Sequence, residues 1–531
     1  RCLSDWSSDV CSSDLKMSMR RTLHVLVKLI PIIISLRKDR KAWVHSEGKN
    51  IDLFKLQKNA NRVLNTFVSL GPVYIKLGQW LSSRADILPQ PYLEELSKLQ
   101  DDVPAESFEK IKPIIEKDLG SLEKFSSIQR TAISGASLGQ VYLAKINEED
   151  VIVKVKRPGI EKTIEQDIKV LKKIIPIVMR FVDSNLRISA QSMLSQFIET
   201  IHEELDYSIE SKNLKTIKKN LARHENVRIP KVYDDYSSKN VLTMEYIPGI
   251  KVTNIEDLDK AGIDRQKIVI DVHKVFFTML MRDSIFHADP HPGNISVAND
   301  GSLILYDFGM VGKIDNDTRM RIVRLYLALV EKDPPRTVNA MSELGMLIPT
   351  FNRNVIEQGI DMSIRTMYGK KPDDMEVKAL MELANKTMSK FPFILPKNLA
   401  LYMRMSSIIE GIYKTHKVDF KFVKILKDIL EEEQLIKDAY IEELKYSFTR
   451  FAKSLDATIS IAPELKKFLE ENRSYQLNKK SNIDTIFAGS ILSSAVFIGS
   501  AILYGQNTTL SVVGMVGTFL IMSIFVVFRK K

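Results

Sequence analysis

Between residues 55 and 120 the apolar positions recur every three to four residues, and no run alternates, so this stretch is expected to be helical. Gly71-Pro72 opens one helix, since proline is tolerated in a first turn. From about Ile133 the period drops to two. Val141-Tyr-Leu-Ala-Lys-Ile146 and Val151-Ile-Val-Lys-Val155 alternate as strands on either side of Asn147-Glu-Glu-Asp150. Helical spacing returns over Gln191–Asn213. Val241-Leu-Thr-Met-Glu245 is a strand stopped at Pro248-Gly249, Ile268–Met281 an apolar helix, and Leu303-Ile-Leu-Tyr306 a short strand. Residues 318–446 show amphipathic helical spacing, and 452–482 are charged and polar, a linker.

The C-terminal pattern differs. Thr485–Tyr504 and Thr509–Phe528 contain no charged residue. Each is about 20 residues, which as helix spans roughly 30 Å, the thickness of a bilayer core. Only Gly505-Gln-Asn-Thr508 separates them, so an antiparallel transmembrane hairpin is expected. Lys479 and Lys480 before it, and Arg529, Lys530 and Lys531 after it, place both ends on the cytoplasmic side of an inner cell membrane. Near the other terminus, Leu23–Leu36 is apolar but interrupted by Lys28 and Pro31, and is flanked by Arg20, Arg21, Arg37, Lys38 and Arg40. It reads equally as an interfacial amphipathic segment or as a helix packed on the main body.

Composition adds two constraints. The first fifteen residues, with their Ser/Asp/Cys repetition and no initiator Met, are unlike the Lys/Ile-rich chain that follows. They look like translated cloning-adapter sequence, with translation expected to start near Met17 or Met19. Both cysteines, Cys2 and Cys11, fall there, which leaves the body without a disulfide framework, a thiolate zinc site or a cysteine nucleophile. The formal net charge of +11 suits an anionic membrane or a nucleic acid. No nucleic-acid motif accompanies it, so no nucleic-acid partner is expected.

The chemistry concentrates in His287-Ala-Asp-Pro-His-Pro-Gly-Asn294 and Asp307-Phe308-Gly309. An Asp and an Asn five apart, with Asp-Phe-Gly thirteen residues later, is the spacing of a protein-kinase catalytic loop and metal site. Asp289 would orient or deprotonate the acceptor, while Asn294 and Asp307 hold Mg²⁺ against the phosphates of ATP. His287 and His291 read as structural. Upstream, Ser134-Gly135-Ala136-Ser137-Leu138-Gly139-Gln140, running into Val141, is a small-residue loop between strands, suited to covering nucleotide phosphates with backbone N–H groups. Lys154 lies inside an apolar strand, where a lysine is costly unless paired, and at the place of the phosphate-gripping lysine. Its carboxylate is expected to be Glu204, with Glu203 and Asp206 as neighbouring alternatives. Glu245, Tyr246 and Ile247 form the hinge that meets the adenine. Lys76 and Gln79 share a helix face, a pairing common on ordinary solvent-exposed helices.

Together these residues resemble the UbiB/AarF family of atypical kinases, over roughly residues 60–430. The most specific part is Lys76-Leu-Gly78-Gln79 within Gly71-Pro-Val-Tyr-Ile-Lys-Leu-Gly-Gln79, a Lys-x-Gly-Gln helix that ordinary kinases lack. The family's Glu-x-Asp motif falls on Glu204-Leu-Asp206, followed by Glu210 and Asn213. The resemblance implies that Lys76, Gly78, Gln79 and Asp206 gate the active site, with Lys76 bridging to Glu204 or Asp206. It implies ATP hydrolysis or phosphorylation of a small or lipid-like molecule, in support of isoprenoid quinone (ubiquinone) biosynthesis or lipid homeostasis. Partners would be a membrane lipid or quinone precursor and quinone-biosynthesis proteins. Ser134 and Gly135 stand where the family usually shows alanines, so nucleotide preference does not carry over. A membrane-tethered Ser/Thr protein kinase and a non-catalytic lipid-binding scaffold are the competing readings.

The expected fold is α+β, a bilobal protein-kinase-like body with an N-terminal helical extension and the C-terminal hairpin. Its segments are an adapter-like stretch (1–15), a basic amphipathic stretch (16–54), the Lys-x-Gly-Gln extension (55–125), an N-lobe (126–250), a C-lobe with helical extension (251–450), a linker (451–484) and the hairpin (485–528).

Overall fold

The computed structural model describes residues 5–45, 52–82, 84, 87–99, 104–179, 184–347, 352–365, 396–418, 422–432, 434–441 and 517–518. The chain divides into one unit over Arg1–Ile441 and another over Glu442–Lys531. The first is described below.

Four helices precede the sheets: α1 (Asp5–His45), α2 (Leu53–Leu70), α3 (Pro72–Leu81) and α4 (Gln90–Leu96). Helix α2 starts where Asp52 caps the Lys55 N–H at 2.9 Å. It buries Leu56, Ala60, Val63, Phe67 and Leu70, one stripe at helical spacing. It stops at Gly71, whose φ of +102° suits only glycine, and Pro72 then opens α3. Helix α1 is packed on the body rather than lying free, because Val25, Leu29 and Ile32 enter the main core. Arg21 ties it down, with Nε 2.9 Å from Asp167 Oδ1 and Nη2 donating to the Leu70 carbonyl at 2.6 Å.

Helix α5 (Phe108–Leu119) backs a five-stranded antiparallel sheet ordered β1 (Ser127–Ile128), β3 (Gly139–Ile146), β4 (Glu149–Lys156), β6 (Val241–Glu245), with β2 (Ser134–Gly135) also pairing β3. The two-residue period of β4 sorts its faces. Val151, Val153 and Val155 are fully buried against Phe108, Ile111 and Ile115, which leaves Lys154 on the opposite face. Helices α6 (Ile160–Val178), α7 (Ser184–Glu204) and α8 (Tyr207–Asn220) follow on the chain.

The second lobe is built around α10 (Arg265–Arg282), preceded by α9 (Ile255–Lys260). A four-stranded sheet runs β5 (Val227–Arg228), β10 (Leu303–Leu305), β9 (Ile295–Val297), β7 (Ile250–Lys251), and β11 (Val311–Lys313) pairs with β8 (Ile285–His287). Helices α11 (Asn316–Val330), α12 (Pro334–Glu343), α13 (Arg353–Arg365), α14 (Lys397–His416) and α15 (Phe422–Glu432) complete it. The β9–β10 and β8–β11 pairs hold the two chemistry-bearing loops side by side.

The expected transmembrane hairpin, and with it the multi-pass inner-membrane location, is corrected: among the described residues no helix is long and apolar enough to cross a membrane. Helix α1 has the length, at 41 residues, but Arg20, Arg21, Lys28, Arg37, Lys38 and Arg40 interrupt it, whereas a span needs about 20 mainly apolar residues. Of the stretches 485–504 and 509–528, all but residues 517–518 lie outside the described residues, as does the linker 451–484.

Gly312 in β11 has no room for a side chain. A Cβ there would fall 2.1 Å from the ring of the fully buried Phe286. Gly312→Ala is expected to lower unfolding free energy by about 1–3 kcal/mol, as overpacking does, in urea denaturation; unchanged stability would contradict this packing.

Candidate active site

The helix expected over Gln191–Asn213 is two helices. Asp206 leaves helical geometry at φ −119° and ψ 98°, and its carboxylate caps Ser208 N–H at 2.9 Å. The break re-aims the acidic residues on either side. Lys154 Nζ donates to Glu210 Oε1 at 2.6 Å and lies 3.5 Å from Asp307 Oδ2. The carboxylate anticipated for it, Glu204 at the end of α7, sits instead 2.7 Å from Lys76 Nζ of α3. Glu203 lies 3.7 Å from Lys397.

Helix α8 turns Tyr207, Glu210 and Asn213 to one side, at i, i+3 and i+6. Glu210 also accepts from the Phe308 N–H at 3.1 Å, and Asn213 Nδ2 donates to the Phe308 carbonyl at 3.1 Å. The Asp-Phe-Gly segment is thereby clamped. Asp307 itself has φ +52°, the left-handed region that short polar side chains tolerate, and accepts from Gly309 N–H at 3.1 Å.

His287 is fully buried, its ring 5.2 Å from that of Phe308. Its Nδ1 accepts from Asp289 N–H at 3.1 Å, and its Nε2 lies 3.3 Å from the Tyr306 carbonyl. One neutral tautomer, protonated on Nε2, satisfies both contacts, and burial pushes its pKa down. It braces the loop as a neutral group. His291 Nδ1 accepts from Gly293 N–H at 3.2 Å, and Asn294 Nδ2 donates to the Asp289 carbonyl at 3.2 Å.

Asp289 is claimed by a residue that the sequence did not single out. Arg404 of α14 places Nη2 2.9 Å from Asp289 Oδ1 and donates from Nη1 to the Gln79 carbonyl at 2.7 Å. The available signal was an arginine inside the apolar run Leu399-Ala-Leu-Tyr-Met-Arg404-Met. Burial works to raise the Asp289 pKa, but the Arg404 guanidinium overcomes it and holds the carboxyl below its usual range. Asp307 behaves alike: burial opposes its charge, yet Lys154, the Gly309 N–H and Lys76 bring it well down. Lys154 stays cationic against burial because Asp307 and Glu210 face it. Burial, with Asp307 adding, pulls Glu210 upward despite Lys154.

The other sequence-derived positions divide by role. In the small-residue loop, Ala136 N–H donates to the Gly139 carbonyl at 2.8 Å, and Arg157 pins the turn through Nε to the Ala136 carbonyl at 2.7 Å. Ser134 and Gly135 pair with Val141 and Gln140. Ser137 and Leu138 are buried. The Gln140 side chain holds the Glu106 backbone through both its oxygen and its nitrogen, and touches Tyr142, so it acts as a tether. In the hinge, Glu245 pairs with Val151, Tyr246 N–H donates to Asp150, and the Ile247 carbonyl accepts from Tyr306 O–H at 2.7 Å. Among the gating set, Lys76 reaches Glu204 and its charge is felt at Asp307. Gly78 lets α3 approach Phe67 and Leu99, Gln79 Nε2 donates to the Leu99 carbonyl at 3.1 Å, and Asp206 caps a helix.

Asp307 and Asn294 are oxygen donors of the kind Mg²⁺ takes, with its other ligands from phosphates and water. Among the described residues no group of three or more His, Cys, Asp or Glu would hold a metal alone, so the donor set fits an ion carried in with a nucleotide.

Comparison with known proteins gives this geometry its relatives. An ABC1 atypical kinase-like domain matches residues 98–341. The uncharacterized protein sll1770 of Synechocystis is 32% identical over 414 residues, covering 76% of this chain and 70% of that one. The chain belongs to the UbiB/ABC1 family of atypical kinase-like proteins. The Arabidopsis thaliana protein "ACTIVITY OF BC1 COMPLEX KINASE 7, chloroplastic" is 32% identical over 424 residues, or 78% of this chain, which spans 60% of that relative's length. The solved structure titled as the Rv3197–erythromycin complex from Mycobacterium tuberculosis aligns at a TM-score of 0.49 and 23% identity, covering 71% of this chain and 96% of that one. The UbiB/ABC1 assignment makes this a kinase-like enzyme at the level of its fold family.

The lowered Asp289 pKa has a signed consequence. A carboxyl with a depressed folded pKa contributes stability above its unfolded pKa and loses it as pH falls through the folded value. The stability of the wild type relative to Asp289→Asn, from thermal melts between pH 7 and 3, should therefore decline below about pH 4. A difference independent of pH would contradict the Arg404–Asp289 pairing.

Proposed function

We propose that this UbiB/ABC1 protein binds ATP with Mg²⁺ and catalyses ATP hydrolysis or phosphoryl transfer to a small or lipid-like acceptor rather than to a peptide. The observation that carries this reading is the double attachment of α3, to the end of α7 and, through Arg404, to Asp289. Lys76 pairs with Glu204 at 2.7 Å, and Arg404 joins the Gln79 carbonyl to Asp289. A helix tied there occupies the approach that an extended peptide would use to reach Asp289.

In the proposed chemistry, Lys154 grips the nucleotide phosphates, kept cationic and oriented by Glu210. Asn294 and Asp307 hold Mg²⁺, which when bound neutralises phosphate charge. Asp289, released by Arg404, positions the acceptor hydroxyl or water and takes its proton. Placement and charge neutralisation carry most of such a transfer, and covalent chemistry by the protein is not required. We infer an acceptor or product in isoprenoid quinone or lipid metabolism, a membrane lipid or quinone precursor, with quinone-biosynthesis proteins as partners. That inference rests on the family resemblance.

The test is Mg²⁺-dependent phosphate release from ATP by the purified protein with a generic peptide present, beside Asp307→Asn. Phosphate release without peptide labelling, reduced about a hundredfold or more in the variant as expected when a preorganised charge is removed, is the predicted result. Labelled peptide would overturn the acceptor class. Equal turnover by both proteins would overturn the assignment of Asp307.

A further inference from the structure

Tyr207 has surroundings unusual for a core aromatic. It is 7% exposed, at the first turn of α8. Its ring centroid is 5.8 Å from Lys154 Nζ. Its hydroxyl presses on the phosphate-covering loop: a Cβ built on Gly139 would lie 2.2 Å from the hydroxyl oxygen and 3.5 Å from Cζ. A side chain at Gly139 would meet this phenol tip and also the Val155 carbonyl oxygen, 2.8 Å from the same Cβ.

Among the described residues the Tyr207 hydroxyl makes no hydrogen bond. The hydroxyl is not sealed off from solvent, so an acceptor that enters the site can reach it. Burial together with Glu210 and Asp307 raises its pKa far above the ordinary value, against Lys154 and Lys76, so it remains a neutral O–H donor at any working pH. The acceptor it suits is an anionic oxygen under the loop, beside the Lys154 ammonium. Among the described residues no hydrogen bond joins the hydroxyl to the neighbouring carboxylates: Glu210 Oε1 accepts from Lys154 and the Phe308 N–H, and Asp307 Oδ1 from the Gly309 N–H.

We propose that the Tyr207 hydroxyl donates a hydrogen bond to a phosphate oxygen of the bound nucleotide and so favours nucleoside di- and triphosphates over monophosphates. The assignment rests on the nucleotide-binding reading above. It couples the loop to α8: the helix that presents Glu210 to Lys154 also sets, through Tyr207 against Gly139, how deeply the loop closes over the phosphates.

The test is equilibrium binding of ATP and ADP, each with Mg²⁺, and of AMP, to the full chain and to Tyr207→Phe. Loss of one neutral donor to a charged acceptor predicts about a ten- to hundredfold weaker affinity for ATP and ADP, with AMP affinity and melting temperature unchanged. Gly139→Ala, whose Cβ would press on both the phenol and the Val155 carbonyl, should weaken ATP and ADP selectively as well, even if Tyr207→Phe folds poorly. Equal loss for all three nucleotides would make Tyr207 a packing residue and overturn the proposal, as would wild-type affinity in both variants. Failure of the wild type to bind any nucleotide would overturn both this assignment and the reading beneath it.

Discussion

A cation inside an apolar strand is the constraint on which the rest of the site depends. Lys154 lies between Val153 and Val155, both fully buried, and a charge taken out of water there must be repaid by close partners. Glu210 and Asp307 supply them from opposite directions, one from α8 and one from the segment after β10. Meeting that demand brings the five-stranded sheet, the helix beside it and the Asp-Phe-Gly segment of the second lobe to one point. Glu210 serves twice, since the Phe308 N–H also donates to it. The pairing is thus both an electrostatic requirement and a means of registering two lobes.

Around this centre lies a second set of contacts that restrains it. Helix α3 is held at both ends of its functional face, by Glu204 on Lys76 and by Arg404 on the Gln79 carbonyl. Arg404 simultaneously neutralises Asp289, the residue proposed to handle the acceptor. Helix α1 supports α3 from behind. Arg21 reaches Asp167 and the Leu70 carbonyl, and its guanidinium lies 5.8 Å from the ring centroid of Tyr74 in α3. The N-terminal helices are therefore built into the candidate site through these contacts.

What the sequence made legible was local. The catalytic loop and Asp307-Phe308-Gly309 stand out because their spacing is set within twenty-odd residues, and β4 because a two-residue period leaves Lys154 alone on its face. The partner of Lys154 was not legible in the same way. A continuous helical period across Gln191–Asn213 hides the break at Leu205-Asp206, and the only cue was Asp206 two residues before Ser208, a capping spacing in mid-run. Without the break, Glu204 is the natural choice; with it, Glu210 is. Arg404 lies 115 residues from Asp289, a pairing created by tertiary folding alone. The apolar segment at Leu23–Leu36 allowed two readings because its hydrophobic positions surround the helix; Val25, Leu29 and Ile32 turn into the core while Leu23 and Val27 stay exposed. The transmembrane hairpin, expected from two uncharged stretches joined by a short turn and flanked by basic residues, has no counterpart among the described residues.

Glu210, and not Glu204, balances the charge of Lys154, and a pair of double-mutant cycles tests this directly. Unfolding free energies would be measured for Lys154→Met and Glu210→Gln, singly and together, and likewise for Lys154→Met with Glu204→Gln. The expected coupling is about 1–3 kcal/mol between Lys154 and Glu210 and close to zero between Lys154 and Glu204. Strong coupling to Glu204 with none to Glu210 would contradict it.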